Sequence, residues 1–378
     1  MVTRPVFCDI YQTAIPMRSF EHAAASREMA EAVVVRVQFD DGTEGWGETL
    51  PRQYVTGETI DTVRRDLAEL LWPACRGMSF DAETLCRAEA FDVPAPNARC
   101  INAALCAIDC ALLWPMFRAA RLPTGGGQAR IDARVTGVLG SADSGRTAGR
   151  LRLMRWHGLR DFKLKLGLGD DVDAENLRLV HKRIGRAVAR GKCTLRVDVN
   201  GGWSADETPQ RVADLEQFGV CVVEQPAYCS APELVELSRR CGLPLMADES
   251  LLTADDAGAL LAAGRKVWWN IRISKNGGIL RSKVLADMAA KHDVPFAIGC
   301  MVGESGILSA AQRALLALAP RPRFVEGNYG RFLLADDLTM PSLRFGYGGR
   351  LKTYGRSEVG IDRRKLARYG KLVATLGA

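Results

Sequence analysis

Apolar and polar residues alternate from Ala32 to Phe39, break at Asp40-Asp41-Gly42 and resume from Thr43 to Glu48, a pattern that predicts a β-hairpin. From Thr59 to Leu71, and again from Ala98 to Trp114, apolar residues return at helical spacing; the second stretch is rich in alanine and allows close helix packing. Strands followed by helices predict an α+β module. The Gly-rich segment Thr124-Gly125-Gly126-Gly127 is its expected boundary, which separates residues 1–125 from a second unit over 126–325.

Beyond that boundary short apolar runs alternate with helical stretches, the pattern of a parallel sheet built from βα units. Strand ends are expected near Gly137, Lys165, Asp198, Glu224, Asp248, Ile273 and Gly299, spaced about one βα unit apart. Capping boxes place the helix starts at Asp170-x-x-Asp173, Ser204-x-x-Glu207, Ser230-x-x-Glu233 and Thr253-x-x-Asp256. Equal units with short loops predict a closed barrel, in which polar groups at the strand C-termini share one mouth. An open doubly wound sheet is the alternative. Neither Gly-x-Gly-x-x-Gly at an opening turn nor a phosphate-loop motif is found, so nucleotide chemistry drops out.

Composition changes this picture little. The 378 residues are 47% hydrophobic and 25% charged, ordinary globular values that allow a sizeable core. The formal net charge of +7 is mild and not gathered into basic blocks, so nucleic acid is not an expected partner, whereas small anionic substrates are. The 11 cysteines show no Cys-x-x-Cys and no zinc spacing, and are read as buried thiols of a reducing cytoplasm. No charged-then-apolar leader opens the chain and no run reaches the roughly 18 apolar residues of a membrane span, so a soluble, non-exported protein is expected.

Candidate chemistry sits on the barrel rim. Asp198, Glu224 and Asp248 end three successive strands. Three unpaired carboxylates in one mouth repel one another and call for a cation; hard oxygen donors without Cys or His point to Mg2+ or a similar ion. Taken singly, each acid reads equally well as a helix cap or a surface charge, but their even spacing argues for a common site. Lys163 and Lys165 alternate on one strand and therefore share a face, and Lys275 follows the sixth strand, across the mouth. Neighbouring ammonium groups lower each other's pKa, which favours a neutral amine able to act as a base.

At these residues the chain resembles the muconate lactonizing subgroup of the enolase superfamily. The matching motifs are Lys163-x-Lys165, Asp198-x-Asn200, Glu224-Gln225-Pro226, Asp248-Glu249-Ser250 and Lys275-x-Gly277-Gly278, with Gly45-Trp46-Gly47-Glu48 and Asn102 to Ala111 in the first module. The resemblance implies an α/β fold: a (β/α)7β TIM-like barrel with an N-terminal α+β capping domain, to which residues 326–378 return. It implies Mg2+ (or Mn2+) held through Asp198, Glu224 and Asp248, supported by Asn200 and Glu249. Lys165 and Lys275 would be the acid/base pair on opposite faces of a carbon α to a carboxylate, and Lys163 would stabilise the enediolate. A homo-oligomer acting on a small carboxylate is expected.

The chain's 4 histidines leave the seventh strand, Phe296 to Met301, without the His of the mandelate racemase subgroup, so sugar-acid dehydration is disfavoured; His292 is expected in solvent. Specificity is assigned to the loops Met17–Arg27 and Pro51–Glu58, with His22, Arg52 and Tyr54 as candidate substrate contacts, and to Glu304. Glu304 lies one residue further along than the family's Gly-x-Met-x-Glu-Ser places it. No Asp-x-Asp lies between Gly299 and Phe332, which weighs against dipeptides with a free amino group. A racemase or epimerase of a small N-acylated acid is the leading expectation. A muconate-type cycloisomerase, an o-succinylbenzoate synthase-like dehydratase and a noncatalytic barrel binding protein are the alternatives.

Overall fold

The computed structural model describes residues 3–22, 25–79, 99–118, 131–351 and 359–377. The expected boundary at Thr124–Gly127 lies outside them. Three antiparallel strands open the chain: β1 (Pro5–His22), β2 (Ala25–Phe39) and β3 (Glu44–Thr49). The predicted β2–β3 turn is present, closed by Gly42 N donating to Phe39 O at 3.0 Å, with Gly42 at φ 80°. Of the segment Met17–Arg27, expected as a loop, residues 17–22 and 25–27 instead lie in the paired strands β1 and β2, where Phe20 pairs with Arg27. The last strand, β12 (Gly370–Leu376), pairs antiparallel with β1, giving the order β12-β1-β2-β3.

Against this sheet lie α1 (Ile60–Asp66), which runs on through a π turn, and α2 (Asn102–Arg118). The backbone of α2 touches that of β3, since a Cβ on Gly47 would come 1.8 Å from Ala107 O. Alanines on the helix and glycines on the strand are what permit this contact. Glu58 closes the start of α2 by accepting hydrogen bonds from Ala103 N (2.8 Å) and Ala104 N (3.1 Å). Pro51–Glu58, expected as a loop, contains the short helix Gln53–Thr56.

Eight parallel strands follow: β4 (Gly137–Leu139), β5 (Asp161–Lys165), β6 (Thr194–Asp198), β7 (Val220–Glu224), β8 (Leu245–Ala247), β9 (Val267–Ile271), β10 (Phe296–Ile298) and β11 (Phe324–Val325). Between them run α3 (Ser144–Trp156), α4 (Asp170–Ala189), α5 (Thr208–Glu216), α6 (Ala231–Arg239), α7 (Ala254–Leu260), α8 (Ile279–Lys291) and α9 (Gly306–Leu318). The sheet runs in sequence order, and Val135 pairs with Val325 while Thr136 N donates to Val325 O (2.7 Å), joining its first and last strands. This is the (β/α)7β barrel.

Four expected strand ends move: β4 runs on to Leu139, β8 stops at Ala247, β10 stops at Ile298, and β9 stops at Ile271, leaving Lys275 in the following turn. The boxes at Ser230 and Thr253 cap α6 and α7, and Ser204 and Glu207 bond reciprocally one turn ahead of α5. Asp173 differs. It accepts from Gly167 N (2.7 Å) and Leu168 N (3.2 Å), tying the βα loop rather than capping α4.

Inward-facing positions recur every second residue along the barrel strands. Val222, Met246, Ala297 and Phe324 form a separate apolar layer. Two residues further along their strands stand Glu224, Asp248, Gly299 and Glu326. The barrel is therefore plugged by hydrocarbon below and lined by charge at the C-terminal mouth. Among the described residues no helix is long and apolar enough to cross a membrane, and the described cysteines are free.

Candidate active site

The mouth collects buried charges of both signs. Lys165 Nζ donates to Asp198 Oδ2 (2.6 Å) and Asn200 Oδ1 (2.7 Å). Lys163 Nζ stands 3.2 Å from Asp198, 3.2 Å from Glu224 and 2.7 Å from Glu326. Lys275 Nζ donates to the carbonyls of Asp248 (2.5 Å) and Asn270 (2.9 Å) and lies 3.1 Å from Asp248 Oδ1. β5 and β9 are the second and sixth of eight strands, so Lys165 and Lys275 approach from opposite sides. Asn200 also donates to Glu249 (3.3 Å). The structure thus brings together Lys163, Lys165, Lys275, Asp198, Glu224, Asp248, Asn200 and Glu249.

Two expectations are corrected. Lys163 is not depressed by its neighbour: burial opposes its charge, but Glu224, Glu326 and Asp198 outweigh that and hold its pKa above the ordinary lysine range. The depressed lysine is Lys275, lowered by burial. Nor are the three acids unpaired. Burial opposes the charge of Asp198, yet Lys165, Lys163 and Arg272 keep it well below the usual carboxylate range. Burial, then Asp198, raises Glu224 to about 7, and burial followed by Asp248 raises Glu249 to about 8.

The mouth also holds four side chains absent from the sequence analysis, of which the two arginines neutralise the acids. Arg272, just after β9, bonds Asp248 Oδ2 and lies 3.4 Å from Glu224 Oε1. Arg196 bonds Glu326 Oε1 (2.7 Å) beneath Lys163, and Asn270 donates to Glu224 (2.7 Å). Arg196 lies two residues before Asp198, Asn270 and Arg272 are two apart, and Glu326 lies two after Phe324. The period of a strand, applied to Asp198, locates Arg196; Asn270, Arg272 and Glu326 stand two residues from none of the three recognised acids.

A divalent ion can be tested against this arrangement. The donor set is all oxygen, and Asp248 Oδ1, Asn270 Oδ1 and Glu249 Oε2 are buried without a hydrogen bond. These acceptors fit a hard cation. As arranged, Arg272 lies across Glu224 and Asp248, and among the described residues no three His, Cys, Asp or Glu side chains gather as a metal cluster. Electrostatic neutrality therefore does not require an ion, contrary to the argument from unpaired acids.

The specificity candidates separate. Arg52 is buried and spends its guanidinium on carbonyls, Pro51 O (3.0 Å), Glu31 O (3.3 Å) and Val302 O (3.3 Å), so it fastens the first module to the loop after β10. Tyr54 is half-buried. His22 ends β1 and its side chain lies outside the described residues; His292 is exposed. Glu304 turns back to accept from Met301 N (2.6 Å), with the extra residue Gly303 at φ 99°. Burial pushes Glu304 up to about 8.

Glu48 makes a second tie between the modules, accepting from Ser305 N, Ser305 Oγ and Leu308 N at the start of α9. Burial raises it from 4.5 to about 7. Between those values the folded chain keeps a proton that the unfolded chain has released. Its stabilising effect is therefore complete below 4.5 and lost as pH rises to about 7, at a cost of about 3 kcal/mol. Glu48→Gln should remove this part of the decline when denaturant midpoints are compared across that range. An unchanged decline would show that Glu48 does not carry it.

Residues 147–353 match the family model described as Enolase C-terminal domain-like. The L-Ala-D/L-Glu epimerase of Bacillus subtilis is 28% identical over 311 residues, 80% of this chain and 82% of the relative. The N-succinyl-L-Arg/Lys racemase of Bacillus cereus is 28% identical over 311 residues, 80% of this chain and 81% of the relative. Among solved structures, the 2-chloromuconate cycloisomerase of Rhodococcus opacus 1CP superposes with a TM-score of 0.83 at 27% identity, covering 97% of this chain and 100% of that one.

Proposed function

The chain belongs to the Enolase C-terminal domain-like family of the enolase superfamily, and from that premise we propose that it is an isomerase that racemises or epimerises a small N-acylated carboxylic acid. The observation that carries this reading is the pair Lys165 and Lys275, on opposite sides of a buried, charge-lined mouth. Residues 1–125, together with the returning segment 326–378, act as the cap over the barrel 126–325.

Burial lowers the pKa of Lys275 and so favours its neutral form, which can take the proton α to a carboxylate. Lys165, oriented by Asp198 and Asn200, addresses the other face of that carbon. Lys163, kept charged by three carboxylates, supplies fixed positive charge for the enediolate oxygens. Superfamily enzymes generally use Mg2+. Here Asp198, Glu224 and Asp248 would hold Mg2+ or Mn2+, which would add positive charge at the substrate carboxylate. Free cysteines support a cytoplasmic setting, and a homo-oligomer belongs to the same reading.

An N-acylated substrate is favoured because no Asp-x-Asp between Gly299 and Phe332 awaits an ammonium group, and one relative is named for N-succinylated amino acids. Cycloisomerisation is the second reading, favoured by the full-length likeness to the chloromuconate enzyme. N-succinylamino acids, dipeptides and muconates incubated in D2O, with Mg2+ or with EDTA, separate the two. We expect α-deuteration of an N-succinylamino acid that depends on Mg2+. Turnover of muconate alone would favour the second reading, and ligand binding without exchange across the panel would reject both.

A further inference from the structure

At the end of the barrel away from the lysines, a cavity of about 620 Å3 is lined by Arg134, Arg155, Arg160 and Arg350, with Tyr347 on its wall and no acidic residue. Arg134 precedes β4 and Arg160 immediately precedes β5, so this cavity lies at the N-terminal ends of the strands. Three chain segments bring these four guanidiniums to it. Arg134 and Arg350 face each other across an antiparallel bridge, which sets two like charges side by side on one wall.

The neighbouring cavity shares Arg134 but holds acids: there Arg321 pairs with Asp132 (3.1 Å) and Arg265 with Asp293, and Asp161 also lines the wall. In the first cavity Arg155 bonds Leu159 O (3.0 Å) and Cys193 Sγ (3.2 Å), while Arg134, Arg160 and Arg350 have no ion-pair partner among the described residues. The Tyr347 ring is 72% exposed yet held in place: its edge meets His157 at 5.9 Å, and a Cβ on Gly158, at φ 85°, would strike it at 2.8 Å.

We propose that this cavity binds an oligophosphate group, either free or carried on a nucleoside whose base stacks on Tyr347. Guanidinium forks match phosphate oxygens two at a time, and a cavity of this size accommodates a nucleotide. The site is separate from the isomerase reading and does not depend on it.

The test titrates the full chain with sodium tripolyphosphate and with ATP, each in EDTA, by calorimetry. Saturable micromolar binding is expected, weakened about tenfold or more in the double variant Arg160→Ser/Arg350→Ser. Arg321→Ser in the neighbouring cavity should leave it unchanged. Tyr347→Ala should weaken only ATP if the nucleoside form is the ligand, and neither probe if the phosphate chain alone is. The proposal is overturned if neither probe saturates, or if Arg321→Ser weakens binding as much as the double variant, which would mark diffuse surface charge.

Discussion

Isomerisation falls by about a hundred- to ten-thousand-fold in Lys165→Ala and in Lys275→Ala, the usual cost of losing a positioned proton carrier. The two losses differ in kind. Because Lys165 ends the second strand and Lys275 lies in the turn after the sixth, across the mouth, each is expected to serve one face of the carbon, so each variant should keep α-deuteron exchange for one enantiomer and lose it for the other. Exchange of both enantiomers surviving in either variant would remove that lysine from the reaction. Circular dichroism of the variants separates lost chemistry from lost fold. Lys165 is the cleaner case: its ammonium bonds only side chains, Asp198 and Asn200, whereas Lys275 also braces the Asp248 and Asn270 carbonyls.

The second large effect concerns stability. Arg272→Met deprives Asp248 and Glu224 of a shared counter-charge inside a mouth where both are fully buried. Removing one partner of a buried ion pair costs about 3–5 kcal/mol, because the remaining charge stays desolvated. In EDTA the variant should unfold at correspondingly lower denaturant. Mg2+ should recover more stability in the variant than in the parent, since added positive charge then replaces what the arginine supplied. A variant as stable as the parent in EDTA would show that Arg272 is not the counter-ion of these acids. A variant destabilised in EDTA but indifferent to Mg2+ would instead count against Asp248 and Glu224 as cation ligands.

The parts of the molecule legible from the chain are those in which one period dominates. The β2–β3 hairpin alternates, α2 repeats its alanines, and β5, β6 and β7 end on the polar residues Lys165, Asp198 and Glu224. β1 was invisible because its pairing with β2 is interrupted at Pro5/Phe7 and Pro16/Phe20, so the period of two slips along its length. Arg272, Arg196 and Glu326 escaped for another reason. Charged residues within an apolar strand resemble surface positions until the barrel closes and turns them inward. The neutrality of the mouth depends on which of them face one another, and that is a property of the closed barrel. The extra residue before Glu304 is absorbed by a backbone turn at Gly303, a conformation that the motif alone does not reveal.

The pairing of β12 with β1 carries a consequence for biosynthesis. On the ribosome the outer edge of the opening sheet must wait, unpaired, until the entire barrel has been translated. A transcript cut short before Gly370 would release a chain with an open strand edge, a template for aggregation rather than a slightly smaller enzyme.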